Sequence, residues 1–389
     1  MKIAFITPGL LPIPAFNGGA IETLLDSLIN QNETEGKIDI TVLSIKPKEK
    51  VENKKYTEYI YFTNSHIFEL FTRIINKVFK KEIIPKNYIY TKKVINFMKK
   101  KAKEFDYIII ENYPELALKI DSNRVIEYVH SDVFNSSIKN AKQILKKCHK
   151  VITVSDFIKG RVVEINDKYD DKVITLHNFL DLKKIDKQER LEIRQEIRKK
   201  YKIKENDIVY AYSGRISPEK GVLELVKAFN EIKIENKKLL LIGGIWYNSK
   251  KKNEYINTIE QIANKNVIFT GYIDHKDIQK YLCAADIGVV PSICNEAAGL
   301  SVIEFLNTGN IVVASNKGGI PEYTNDKYCK LVTMNSDNID ELIETLEKVG
   351  NDLKKSDHID YNIKFSEKFS INEYYKKFIN ILENRRWNN

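Results

Sequence analysis

Short β-branched or aromatic runs recur along this 389-residue chain, each followed by a stretch with helical apolar spacing, and that alternation restricts its fold most. The first series occupies residues 2–6, 38–45, 107–110, 125–129, 151–154 and 173–176. After a charged stretch the pattern restarts at 208–212, 239–242, 267–270, 287–290 and 311–314. Strands alternating with crossover helices predict parallel sheets covered on both faces. Two such series predict an α/β protein of two doubly wound domains facing each other across a cleft. The expected layout is a first domain over 1–181, an interdomain linker over 182–205, a second domain over 206–365, and a helix over 366–389 returning to the first. Ligands of such sheets sit at the carboxyl ends of the strands, where loops and helix N-termini converge.

Charge narrows the classes of partner. The chain carries a formal +10, and the segment from Arg73 to Lys103 accounts for it, with eleven basic residues against the single acid Glu82. Its apolar positions (Phe71, Ile74, Ile75, Val78 and Phe79, then Val94, Ile95, Phe97 and Met98) predict two amphipathic helices separated around Pro85. A cationic, amphipathic segment suits an anionic membrane surface; a solvated lysine face over an ordinary core stripe fits the same pattern. No run approaches the ~20 apolar residues of a transmembrane helix, so the expected location is cytoplasmic or peripheral at the inner face of the cell membrane. Cys148, Cys283, Cys294 and Cys329 are far apart, without metal-ligand spacing, which suggests neither a zinc site nor a disulfide scaffold.

Two loops carry the chemistry. Ser213-Gly214-Arg215 follows the first strand of the second series and runs on to Lys220-Gly221 before a helical pattern. A planar Arg fork and a Lys point charge on a glycine-containing loop suit a diphosphate that gains charge as it leaves. Downstream, Pro291 to Gly299 form a loop between a strand and a helix that begins at Leu300. The unpaired N–H groups of that helix start favour an anion. Glu296 and Glu304 frame Gly299, and carboxylates there serve better as acceptors for sugar or ribose hydroxyls than as phosphate ligands.

The segment Glu296 to Glu304 resembles the Glu-x7-Glu motif of retaining glycosyltransferases of the two-Rossmann-domain GT-B type, family 4. Other segments match in order: Gly18-Gly19-Ala20-Ile21-Glu22, Val129-His130, residues 151–155, Gly214-Arg215 to Lys220-Gly221, Phe269-Thr270-Gly271, Ala285-Asp286 to Pro291-Ser292, and Gly318-Gly319-Ile320-Pro321-Glu322. The resemblance implies that Arg215 and Lys220 bind the diphosphate of a nucleotide-sugar, with Gly214 in the same loop. It implies that Glu304 holds the ribose and Glu296 orients hydroxyls of the transferred sugar. Backbone from Ala297, Ala298, Gly299 and Leu300 would approach the donor, as would Gly18 and Gly19, which lack a side chain to intrude. His130 matches the family histidine near the reacting sugar, so His130, Glu296, Arg215 and Lys220 are the catalytic candidates. The isolated His66, His149, His275 and His358 read as satisfied interior histidines. The family's usual Gly-x-Gly is replaced by Gly243-Gly244-Ile245-Trp246, which leaves the nucleotide open.

The expected reaction is transfer from a nucleotide-diphosphate sugar, a UDP-sugar first, to a hydroxyl of a lipid-linked saccharide or glycolipid in cell-surface polysaccharide biosynthesis, with retention by front-face attack. No Asp-x-Asp occurs, so neither metal nor other cofactor is expected. A small soluble acceptor is the alternative within the class. A nucleic-acid-binding protein would explain the charge but not the two glutamates, which repel a polynucleotide backbone, and no nucleic-acid partner is expected. An epimerase or phosphorylase on similar donors is the remaining rival, although the cofactor lysine site of a phosphorylase is not found.

Overall fold

The computed structural model describes residues 1–63, 75, 85–181, 185–244, 254–353 and 357–383. It divides into two compact units, one of Met1–Phe179 with the segment from Ile371 onward, the other of Leu180–Ser370. The first holds strands β1 (Lys2–Ile6), β2 (Asp39–Ile45), β3 (Thr57–Phe62), β4 (Tyr107–Glu111), β5 (Val125–Val129), β6 (Lys150–Thr153) and β7 (Val173–Thr175). They form one parallel sheet in the order β3-β2-β1-β4-β5-β6-β7. The second holds β8 (Ile208–Ser213), β9 (Lys237–Ile242), β10 (Val267–Gly271), β11 (Ile287–Val290), β12 (Ile311–Ser315) and β13 (Cys329–Val332), ordered β10-β9-β8-β11-β12-β13, again parallel. Each sheet reverses its strand order once, between β1 and β4 and between β8 and β11. Both units are therefore doubly wound and Rossmann-like.

Central strands such as β1 and β4 are buried on both faces, with Ile3, Phe5, Ile108 and Ile110 fully enclosed. Their near-continuous apolar runs follow from that burial. In the first unit the helix Ile371–Glu383 inserts Phe378, which stacks on Phe5, and Tyr374, whose hydroxyl meets that of Tyr128 at 2.8 Å. Tyr375 Oη donates to Asn32 Oδ1 at 2.6 Å, on the helix Ala20–Glu35, and Lys150 Nζ donates to the Ile381 carbonyl. The returning helix begins at Ile371 rather than 366, because residues 367–369 form a short 3-10 turn that stays in the second unit.

The stretch read as a linker is part of the second unit. Helix Lys187–Lys200 packs there through its charges: Arg190 Nε donates to the Thr308 carbonyl at 2.6 Å, and Arg194 and Arg198 grip the two oxygens of Asp286 at 2.7 and 2.8 Å. Arg198 is 2% exposed. Its guanidinium also donates to the carbonyls of Ala284, Lys204, Glu205 and Asp207, which satisfies a buried cation that would otherwise cost several kcal/mol.

Of the two basic helices expected around Pro85, the first lies outside the described residues except for Ile75. The second is the helix Tyr88–Lys101. It buries Tyr90, Val94 and Met98, and Phe97 meets Phe62 of β3 edge-on, so the apolar stripe packs on the sheet while Lys92, Lys93, Lys99, Lys100 and Lys101 stay exposed.

Candidate active site

In the second unit the loops after β8 and β11 meet because one glycine allows it. Gly221 has φ +68°, and a Cβ there would lie 2.0 Å from the Pro291 carbonyl oxygen. Only a residue without a side chain combines that backbone with that approach. Ile293 and Cys294 both donate their N–H groups to the Glu219 carbonyl, at 3.0 and 3.2 Å. This docking aims Lys220 at the second loop: Nζ donates to Glu296 Oε1 at 2.5 Å, and Ser292 Oγ donates to the same oxygen at 2.6 Å. Lys220 and Glu296 are 22% and 19% exposed, enclosed yet reachable.

Other parts of the expected set surround this pair. Gly318, at φ +57°, would place a Cβ 2.2 Å from the Glu296 carbonyl oxygen, and the Gly319 N–H donates to that oxygen at 2.7 Å. The loop after β12 thus clamps Glu296 from behind. Gly214 packs against Gly243, whose Cβ would sit 1.9 Å from the Gly214 carbonyl oxygen; Ile245 and Trp246 lie outside the described residues. Arg215 is half-exposed, with Nη2 3.7 Å from Glu219. Ala297 and Ala298 lead to Gly299, which caps the helix Leu300–Asn307 without a side chain and receives the N–H groups of Val302 and Ile303.

Glu304 lies one turn into that helix and takes a different partner from Glu296. Its Oε1 is 3.6 Å from His275 Nε2, at the first residue of the helix His275–Cys283. His275 is 63% exposed, so its reading as an interior histidine is corrected. The Glu304 carboxylate beside it holds the imidazole above its usual titration range. Read together from sequence as a pair framing Gly299, the two glutamates take separate partners, Lys220 for Glu296 and His275 for Glu304.

In the first unit Gly18 and Gly19 have φ +69° and +103°. A Cβ on Gly19 would lie 2.3 Å from Glu22 Oε2, so the glycine makes room for that carboxyl at the start of the helix Ala20–Glu35. Burial pushes Glu22 above the usual carboxylate range; its own backbone N–H opposes this, Glu111 adds to it and His130 opposes it. His130 follows β5, and its Nε2 is 2.5 Å from Glu111 Oε2 at the end of β4, with the side chains 8% and 3% exposed. Asn112, in the left-handed region at φ +53°, accepts the N–H groups of His130 and Ser131 at 3.0 and 3.2 Å. Glu111 and Asn112 were not singled out from sequence. Their signal is a polar pair directly after Ile108-Ile109-Ile110, at the carboxyl end of a central strand. Neither unit by itself brings three potential metal-ligand side chains together among the described residues.

Residues 193–365 match the family described as glycosyl transferases group 1. YtcC of Bacillus subtilis is 26% identical over 349 residues, covering 85% of this chain and 79% of that protein. A lipopolysaccharide 1,2-N-acetylglucosaminetransferase of Salmonella typhimurium is 24% identical over 338 residues, with 84% and 83% covered. The crystal structure of Anabaena Alr3699/HepE in complex with UDP and glucose superposes with a TM-score of 0.69 at 18% identity, over 99% of this chain and 100% of the other. The chain is thus similar to glycosyl transferases group 1 over residues 193–365, and its two Rossmann-like units have the GT-B fold.

Proposed function

We propose that the protein is a retaining, family 4 glycosyltransferase that moves a sugar from a UDP-sugar to a hydroxyl of a lipid-linked saccharide or glycolipid in cell-surface polysaccharide biosynthesis. The observation that carries this reading is the Lys220–Glu296–Ser292 contact at the strand-order reversal of the second sheet, where ligands of open parallel sheets bind. Lys220 and Glu296 neutralise each other across their 2.5 Å contact. An incoming diphosphate draws Lys220 to its oxygens, and Glu296, still held by Ser292, is released to accept sugar hydroxyls. Arg215, with its fork, joins Lys220 on the leaving diphosphate, near the N–H groups that open the helix at Leu300. Glu304 takes the ribose. His130, with Gly18 and Gly19, is assigned to the donor sugar by family resemblance. No side chain in this set serves as a covalent nucleophile, and front-face attack accounts for retention.

The relatives support the substrate class: a lipopolysaccharide sugar transferase aligns over most of the chain, and a structural neighbour holds UDP and glucose. Since Arg215 and Lys220 supply the positive charge, the reaction is metal-independent. A thermal-shift screen of UDP, GDP and ADP with their sugars tests the donor, because a ligand bound only by the folded state raises stability by RT ln(1 + [L]/Kd). Stabilisation by UDP and a UDP-sugar, undiminished by EDTA, is expected; no shift with any nucleotide, or a shift that needs a divalent metal, overturns this reading.

The acceptor side rests on charge. No described helix is long and apolar enough to cross a membrane, and the helix Tyr88–Lys101 spends its apolar face on the sheet. Attraction to anionic lipid is therefore electrostatic, worth ~1 kcal/mol per lysine near the surface. Flotation with phosphatidylglycerol vesicles should recover the protein at low salt and lose it at high salt, and Lys99→Glu with Lys100→Glu should weaken recovery. No binding to either anionic or neutral vesicles favours a small soluble acceptor instead.

A further inference from the structure

The histidine assigned to the sugar is held by Glu111, the last residue of β4. Glu111 is almost fully buried, and a carboxylate in that position needs a partner to offset its lost hydration. It has one in His130 Nε2, 2.5 Å away. The imidazole is further confined: the Tyr128 ring lies against it with centroids 4.2 Å apart, and Asn112 fixes the backbone on both sides of the turn. Asn112 in turn donates its own N–H to the Tyr128 carbonyl at 2.8 Å and its Nδ2 to Ser131 Oγ at 3.0 Å. The ring's second nitrogen, Nδ1, is buried and has no hydrogen-bond partner among the described residues.

These facts fit together through the tautomer rule, by which the partner of one ring nitrogen decides the state of the other. A carboxylate accepts, so the neutral ring must carry its proton on Nε2. Nδ1 is then left as an acceptor, and a sugar hydroxyl is a donor that would complete it. We propose that Glu111 is a positioning residue that holds His130 in the Nε2–H tautomer and orients Nδ1 as the acceptor for a hydroxyl of the transferred sugar. Glu22, close enough to feel both groups, favours its neutral acid through burial. The proposal rests on the reading of His130 as sugar-facing, and the test separates the two.

The test compares wild type, Glu111→Leu, His130→Asn and the double variant. Imidazole ¹⁵N spectra of histidine-labelled protein report the tautomer directly, and nucleotide release from the UDP-sugar selected by the thermal screen reports function. In wild type the resonance absent from His130→Asn should have a protonated Nε2 and an unprotonated Nδ1, and Glu111→Leu should abolish that pattern. Glu111→Leu should lower kcat at least ~10-fold, as expected for a misplaced reacting-site group, with KM within about 3-fold. In the His130→Asn background the same change should cost nothing more, because its effect runs through the ring. If Glu111→Leu does not fold, Glu111→Gln keeps the shape and carries the same cycle. An Nδ1–H tautomer in wild type, full turnover in the Glu111 variant, or an equal loss in both backgrounds overturns the role of Glu111. Full turnover in His130→Asn overturns the sugar-facing reading of His130, whatever the spectra show.

Discussion

The two sheets share one strand plan yet finish their reversal points in opposite ways. After β8 and β11 the charged groups are partly open and join loops to each other, with Lys220 held by Glu296 and Arg215 near Glu219. After β4 and β5 they are sealed, with Glu111 on His130 and Glu22 buried beside them. A pair that water still reaches can be parted by a ligand at lower cost, since solvent partly screens both members. A sealed pair cannot, because parting it would leave a buried carboxylate without the partner that offsets its lost hydration. The second unit is thus built to exchange partners, and the first to keep a geometry.

The largest break in that comparison should come from Lys220→Ala. Removing one charge-assisted contact to a leaving diphosphate should lower kcat on the order of 10²-fold or more, while the unfolding midpoint stays near that of wild type. Arg215→Ala should act in the same direction, and a steady-state assay with unchanged rates in both variants would remove the diphosphate role.

A smaller effect, on stability alone, is expected in the first unit. Glu127 of β5 is fully buried; its Oε1 accepts the Tyr113 N–H at 2.9 Å and its Oε2 has no partner among the described residues. Burial, with Glu111 and Glu115 adding, holds its carboxyl well above the usual range. The folded state therefore keeps a proton that the unfolded chain releases above about pH 4.3. The stability this proton contributes is complete below that pH and drains away as pH rises through the folded value. Glu127→Gln, which cannot ionise, should gain on the order of 1–3 kcal/mol over wild type at pH 8 and almost nothing at pH 4, as read by urea unfolding.

The smallest effect belongs to His275→Ala in the second unit. A base raised above its usual range by a carboxylate adds stability below about pH 6.5, lost as pH climbs through the folded value. Because the ring is exposed, the loss at pH 5.5 should be ~0.5 kcal/mol or less, and it should vanish by pH 8.5. A larger change, or one that persists at high pH, would mean that Glu304 depends on His275 for more than charge.

What could be read from sequence follows from burial. Central strands buried on both faces are written as apolar runs, so β1, β4, β5, β8 and β11 were legible. The edge strand β13 was not, because exposed Lys330 and Leu331 interrupt it, and β3 went unread although Tyr59-Ile60-Tyr61-Phe62 is such a run, only half-buried at the sheet edge. The helix Lys187–Lys200 was hidden for the converse reason: its arginines are buried, and buried charge looks like surface when only composition is visible. Within the site, Gly221, Gly318 and Glu296 were legible through the ordered motifs of the family they resemble, and the close backbone approaches at Gly221 and Gly318 explain the glycines. The pairing of Glu111 with His130 was not, since it joins residues 19 positions apart through the neighbouring ends of β4 and β5.

The helix Ile371–Glu383 bears on the order in which the protein is made. Residues 180–370 are contiguous, so the second unit has all its parts as soon as they leave the ribosome. The first unit, although synthesised earlier, lacks the side chains that cover Phe5, Asn32 and Tyr128 until this helix emerges. The usual N-terminal-first sequence of domain folding during synthesis is thereby inverted, and a released chain that ends at residue 370 should resist protease in its second unit while its first remains open to cleavage.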